Sequence, residues 1–407
     1  MYKRKSCESS SIWLLLLLNS FVYISTALYS PFLSAYYRQN HLSSTQIGVL
    51  LTVGPLASVF IQPFWARLSD KSGKARKYAS FVVLGAAISL YSFYLGTSFI
   101  SFLLANLFLA IFSTSVLPMT DAIVIRNANR LHFNYAFIRM GGTIGYAAMV
   151  YAAGFFLRRH PSAQFAVASF SYLFLLFLLR RLPDSEDHQP VFTKQSKDKG
   201  HPLNISGIFK NSNVFFVLVF AFIYQVGASF FHTFLGVYVI ELGYGQSQLG
   251  MLNCIQALSE IPILLIMKKF TRKLGALNLI ALATFLMGFR LFAASGGSLI
   301  WLILAQAMQG ITYMVVHFGC ATYIAENVYE GKASQGQSIL YIIQAGLASI
   351  IGNTLGGRLI DFLGIKPSFL WAGSAILLLS GITWIILILY AQRKGQRFDC
   401  PSEQYTS

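Results

Sequence analysis

Apolar runs of about 20 residues return along almost the whole chain, and no other feature limits its folding so strongly. At 1.5 Å of rise per helical residue, about 20 residues cross the ~30 Å hydrocarbon core of a bilayer. Every backbone polar group must there be bonded within the chain, so such runs form helices. The sequence predicts twelve spans: Ile12–Tyr37, Thr45–Ala66, Tyr78–Thr97, Phe99–Arg126, Tyr135–Leu157, Gln164–Leu179, Asn213–Ile240, Ser247–Met267, Ala276–Ala294, Leu299–Ala325, Ser334–Ile360 and Ser368–Tyr390. The expected fold class is therefore an all-α integral membrane protein of twelve transmembrane helices. The run Trp13–Leu18, behind Lys3, Arg4 and Lys5, has the order of a signal peptide. No clear small-residue cleavage site precedes Tyr29-Ser30-Pro31, so it is read as helix 1.

Composition agrees: 55% of the 407 residues are hydrophobic and 11% charged, with mean hydropathy +0.59, against about 25% charged in soluble domains. The net charge of +17 would suit a nucleic-acid partner, but the placement of the bases argues otherwise. With the N-terminus in the cytoplasm, 24 of the 31 Lys and Arg residues fall on the cytoplasmic side and 5 opposite, while Arg139 and Arg290 lie within helices. That asymmetry is the positive-inside signature of a chain with both termini in the cytoplasm, and it needs no nucleic acid. Of the four cysteines, Cys7 and Cys400 fall in tails and Cys254 and Cys320 in helices, without a CxxC pair. Free thiols, no metal site and no cofactor are expected.

The longest polar stretch, Leu182 to Lys210, is rich in Pro, Ser, Asp and Lys. It reads as a cytoplasmic linker (182–210) between an N-terminal six-helix bundle (1–181) and a C-terminal six-helix bundle with a short tail (211–407). A weak repeat supports the division: Leu68-Ser-Asp-Lys-Ser-Gly73 follows helix 2, and Phe270-Thr-Arg-Lys-Leu-Gly275 follows helix 8.

Two charges interrupt the apolar pattern in helices 4 and 5. Asp121 lies nine residues before Arg130, where the two antiparallel helices join, and Arg139 nine after, so both sit at similar depth. Intramembrane charges usually face a partner or a wet cavity, which makes a cavity-facing pair the first expectation. Snorkelling of both side chains to the interface fits the same spacing. Tyr146 follows Arg139 by seven residues, two turns along one face. Asn19, Tyr23, Asn106, Gln225, Gln256, Gln306 and Gln344 add neutral polar groups near mid-span, which serve either a solute or interhelical hydrogen bonds. Gly352 and Gly356 read as a GxxxG packing surface.

The segment ARLSDKSGKARK, Ala66 to Lys77, resembles the loop between helices 2 and 3 of the major facilitator superfamily. Twelve spans and a six-plus-six division extend the resemblance over essentially the whole chain. Asp70 sits at a helix C-terminus, where the macrodipole disfavours an acid. The resemblance implies a gating latch of Asp70, Gly73, Lys74 and Arg76 with the start of helix 11 near Ser334-Gln335. Asp121, Arg139 and Tyr146 are similar to the sugar site of the lactose permease branch, with Asp in place of the usual Glu. Helices 7 and 8, Gly227 to Pro262, resemble the phenylpropionate permeases, with His232 on helix 7. Further likenesses are Arg290, Gln309, His317 and the run Gly336 to Gly364.

Helix 10 departs from the lactose permease pattern: Gln309 and Thr312 stand where a His and a Glu are usual. Proton coupling therefore shifts to Glu260, deep in helix 8, with Arg290 and His317 as companions. A separation of six residues in depth, roughly 9 Å, stands against direct pairing of Glu260 with Arg290. The substrate-binding set expected is Asp121, Arg139, Tyr146, Asn19, Tyr23, Gln225, Gln256, His232 and Gln309. The first functional reading is a monomeric, proton-coupled importer of a small organic solute (aromatic acid, sugar or nucleoside) in a bacterial plasma membrane. A drug or metabolite exporter and a membrane sensor without transport are the alternatives. An intramembrane enzyme finds no HExxH, GxSxG or Cys/His cluster to support it.

Overall fold

The computed structural model describes residues 2–182, 212–328 and 333–393, which form helices and turns and no strand. Most of the linker, Glu330, Lys332 and Cys400, and the side chains of Cys7 and Ser334, lie outside the described residues.

Helix α1 (Tyr2–Ala27) runs through a 3₁₀ turn at Ser30–Phe32 into α2 (Leu33–Gln39), the break falling at Pro31, which lacks a backbone donor. Helix α3 (Ser44–Ser72) opens with a capping box: Ser43 accepts from the Gln46 N–H, and the Gln46 side chain accepts from the Ser43 N–H. Next come α4 (Ala75–Ser89), α5 (Phe99–Arg130), α6 (Tyr135–Leu157) and α7 (Ala163–Arg181). Beyond the linker lie α8 (Ser212–Glu241), α9 (Gln246–Leu274), α10 (Ala276–Ala294), α11 (Leu299–Ala307), α12 (Val315–Asn327), α13 (Ala333–Tyr341), α14 (Ser349–Leu363) and α15 (Ile365–Arg393).

Among the described residues, 11 helical segments are long and apolar enough to cross a membrane. The expected third span, Tyr78–Thr97, is not among them. Its α-helix stops at Ser89 and gives way to a 3₁₀ turn, Leu90–Tyr94. There the Ser89 hydroxyl donates to the Ala86 carbonyl and that of Ser92 to Ser89, competing with the helical ladder. Two other spans contain π-turns, Gly310–Met314 between α11 and α12 and Ile342–Ala348 between α13 and α14. Large apolar side chains such as Phe155, Trp301 and Phe362 stand exposed on the helices, as a lipid solvent allows.

The chain forms two compact units: the described residues of Met1–Lys194 with Phe234–Ala257, and those of Gln195–Thr233 with Leu258–Ser407. In the first, α1 packs on α5, α6 and α7, and α5 on α3 and α4. Glycines set the approach of α6 to α1: a Cβ on Gly142 would lie 2.6 Å from Asn19 Oδ1 and 2.5 Å from Tyr23 Cδ2. Small residues replace the missing hydrophobic drive between membrane helices by letting backbones come close. The segment Phe234–Ala257 joins this unit through Arg38 and Glu241, 2.6 Å apart, and through Gly250, whose added Cβ would meet Val150 O at 2.6 Å. In the second unit α10 crosses α15 at Gly288 and Gly373, and Gly352 of α14 lies against the Val226 carbonyl, which is the close packing expected of its GxxxG surface.

Gly73 and Gly275, the ends of the sequence repeat, do the same work. Each has a positive φ, 65° and 77°, and bonds its N–H to the carbonyl four residues back, Ser69 and Thr271, closing α3 and α9.

Candidate functional site

The first unit holds a compact polar cluster inside its membrane helices. Arg139 Nη1 of α6 lies 3.3 Å from Asp121 Oδ2 of α5. Asn19 Nδ2 of α1 donates to Asp121 Oδ1 at 3.0 Å, and the Tyr135 hydroxyl hydrogen-bonds the same carboxyl. The Arg139 guanidinium also stands over the Tyr23 ring, 4.7 Å from its centroid, a cation–π contact. Sequence explains each placement: Asn19 and Tyr23 are one turn apart on α1 and face Gly142, and Tyr135 precedes Arg139 by one turn of α6.

This cluster is open. The Arg139 and Asp121 side chains keep 44% and 18% of their exposure, so the pair stands at an accessible face of its unit. Two buried atoms at its wall, Asn19 Oδ1 and the Tyr23 hydroxyl, have no hydrogen-bond partner.

The second unit contains the other intramembrane arginine. Arg290 of α10 is fully buried; Nη2 donates to Gln306 Oε1 at 2.5 Å, Nη1 to Gln309 Oε1, and the guanidinium lies 4.2 Å from the Phe231 centroid. The Glu260 carboxylate of α9 acts on it electrostatically. The π-turn begins one residue after Gln309, and Gly310, whose N–H donates to Ser259 Oγ at 3.0 Å, leaves no room for a Cβ against the Ser259 carbonyl. Ser259 immediately precedes Glu260, so the turn fixes the backbone that carries that acid.

The remaining expected residues are dispersed. Gln225 of α8 donates to Ser229 and Ser349 hydroxyls at 3.0 and 3.2 Å, and Thr233 to Asn353 at 2.7 Å, a polar seam between α8 and α14. His232 is exposed and edge-on to Phe231; His317, also exposed, stacks on Tyr313 with centroids 5.2 Å apart. Tyr146 and Gln256 are half-buried on α6 and α9. Asp70 falls in the last turn of α3, where Arg126 of α5 acts on it electrostatically; Gly73 and Lys74 follow, and Arg76 donates to the Leu182 carbonyl at 2.5 Å.

Tyr135, Phe231 and the role of Gln306 were not legible as site features. Helical spacing carried a signal for two of them, since Tyr135 is four residues from Arg139 and Gln306 three from Gln309.

A bundle of long apolar helices with an ion pair set among them is the architecture of a multi-pass membrane protein. Residues 12–371 match the model of the MFS_1 like family, and the chain belongs to that family: it is a secondary transporter of the major facilitator type. It is 25% identical to the uncharacterized transporter YwbF of Bacillus subtilis, over 94% of both chains. With the maltose permease of Geobacillus stearothermophilus it shares 23%, over 89% of this chain and 90% of that one. Its fold superposes on a point variant of the nucleoside transporter NupG with a TM-score of 0.80, at 16% identity, covering 91% of this chain and 99% of the other.

Proposed function

We propose that this transporter imports a small, neutral, hydroxyl-rich solute, a sugar or a nucleoside, together with protons, as a monomer in a bacterial plasma membrane. Twelve spans with both termini in the cytoplasm, and six helices on each side of the linker, complete the proposal. The observation that carries it is the Asp121–Arg139 cluster with its unpartnered Asn19 Oδ1 and Tyr23 hydroxyl. The pair has no net charge and offers acceptors, donors and an aromatic face at once. Hydroxyl groups satisfy both ends of such a pair, whereas an organic acid bound at Arg139 would stand beside Asp121 and repel it. The maltose permease and the nucleoside transporter among the similar proteins carry solutes of this kind by name.

In this reading Tyr146 and Gln256 are further solute-binding groups of the first unit, and His232, Gln225 and Gln309 are those of the second. Glu260 is the proton carrier, with Arg290 and His317 as its electrostatic companions. Asp70, Gly73, Lys74 and Arg76 form the gate.

Uptake by the purified chain in proteoliposomes, with a pH gradient imposed and a panel of sugars, nucleosides and aromatic acids, tests the proposal. A neutral solute should accumulate only with the gradient, and Asp121→Asn or Arg139→Gln should weaken its binding about 30-fold or more, as for a broken charge pair. Glu260→Gln should still exchange solute across the membrane without accumulating it. Accumulation of acids alone, or normal transport by the doubly neutralised pair, would overturn the assignment.

A further inference from the structure

One face of α3, away from the charged pair, carries a groove of about 560 Å³ lined by Val59, Phe60, Pro63, Phe64, Arg67 and Lys71. These positions recur at helical spacing, so they form a single stripe. Its upper part is apolar and open, with Phe60 71% and Phe64 56% exposed. Its end is basic: Arg67 and Lys71 are exposed, one turn apart, and neither makes a hydrogen bond or ion pair among the described residues. Pro63 cannot donate to the Val59 carbonyl four residues earlier, so the helical ladder is interrupted where the groove lies. From Val59 to Lys71 the helix rises roughly 18 Å, close to the ~15 Å half-thickness of a bilayer's hydrocarbon.

We propose that this face holds one anionic phospholipid, an acyl chain along Val59, Phe60 and Phe64 and the phosphate between Arg67 and Lys71. An apolar stripe of one leaflet's length, ending on two uncompensated cations, matches a molecule with a long tail and a net negative head. A zwitterionic lipid would bring its own cation to the same place. Basic residues near a membrane surface favour acidic lipids for this reason, and salt screens the attraction.

Native mass spectrometry and thermal unfolding of the full chain in detergent, with added phosphatidylglycerol or phosphatidylcholine of equal chain length, test the site. Phosphatidylglycerol should be retained and should raise the melting temperature more than phosphatidylcholine, with the difference shrinking as salt rises. The double variant Arg67→Gln/Lys71→Gln should lower affinity for phosphatidylglycerol about 30-fold, and Lys71→Gln alone about 5-fold, leaving phosphatidylcholine binding unchanged. Should the double variant fail to fold, the single variant and the salt series decide. Equal retention of both lipids would reduce the groove to ordinary lipid contact and overturn the proposal. Competition by soluble glycerol phosphate at the same concentration would overturn it too, since the site would then bind any small anion.

Discussion

Arg139 and Arg290 both lie within the length of membrane helices, and the two units treat them in opposite ways. Arg139 has a carboxylate partner, an aromatic face and 44% of its exposure; Arg290 has two neutral glutamines, an aromatic face and no exposure. A charge left open to water can trade partners at little cost, whereas a fully desolvated one is held by every bond around it. The contrast separates an accessible arginine from a fully desolvated one, and substitution at each tests it.

The largest effect is expected at Arg290. Arg290→Ala strands the buried Gln306 and Gln309 carbonyls and removes the contact with Phe231, so it should destabilise the protein by about 4 kcal/mol. Arg139→Ala, in its more exposed setting, should cost about 1 kcal/mol. Reversible unfolding of both variants in mixed micelles measures the difference, and equal losses would erase the distinction between the two arginines.

A smaller effect sharpens the comparison through packing. Gly142→Ala would push a methyl group into Asn19 and Tyr23, and Gly352→Ala would push one into the Val226 carbonyl. Overpacking at each should cost about 1–3 kcal/mol. Only Gly142→Ala should also weaken solute binding, because its clash falls on the wall of the charged site. Binding isotherms of the two variants, compared at matched folded fraction, give the answer; an equal loss of affinity in both would place the solute elsewhere.

The smallest effect concerns the π-turn. Ser259→Ala removes the hydroxyl that accepts from the Gly310 N–H and should lower stability by about 1 kcal/mol, as for one hydrogen bond. If the turn positions the acid at 260, the same change should shift the pH dependence of uptake, and Ser259→Thr should restore it. An unchanged pH profile would make the bond structural alone.

Much of this was legible in the sequence because bilayer physics writes it there. Apolar runs must be helices, bases mark one side, and Gly73 and Gly275 end helices where a residue with positive φ is needed. The approach of Asp121 to Arg139 could be read from their equal distance to the turn near Arg130. The interruption at Leu90–Tyr94 could not, since serine hydroxyls bend a membrane helix without disturbing its apolar pattern. Nor could the π-turns at Gly310 and Ile342, which insert one residue into a ladder whose composition is unchanged.

By itself the sequence determined that this chain is a bundle of membrane-spanning helices and that few charges enter them, because the free energy of leaving water depends on residue type and run length. Tertiary structure alone decided that Arg290 meets Gln306 and Gln309, that Arg38 meets Glu241 across 203 positions of chain, and that Tyr135 joins Asp121. In a soluble helix the polar face announces its outside, but in lipid an apolar side chain suits either face. Which face meets which neighbour is therefore left to the fit of backbones at glycines such as Gly250, Gly288 and Gly310, and that fit exists only once the helices are together.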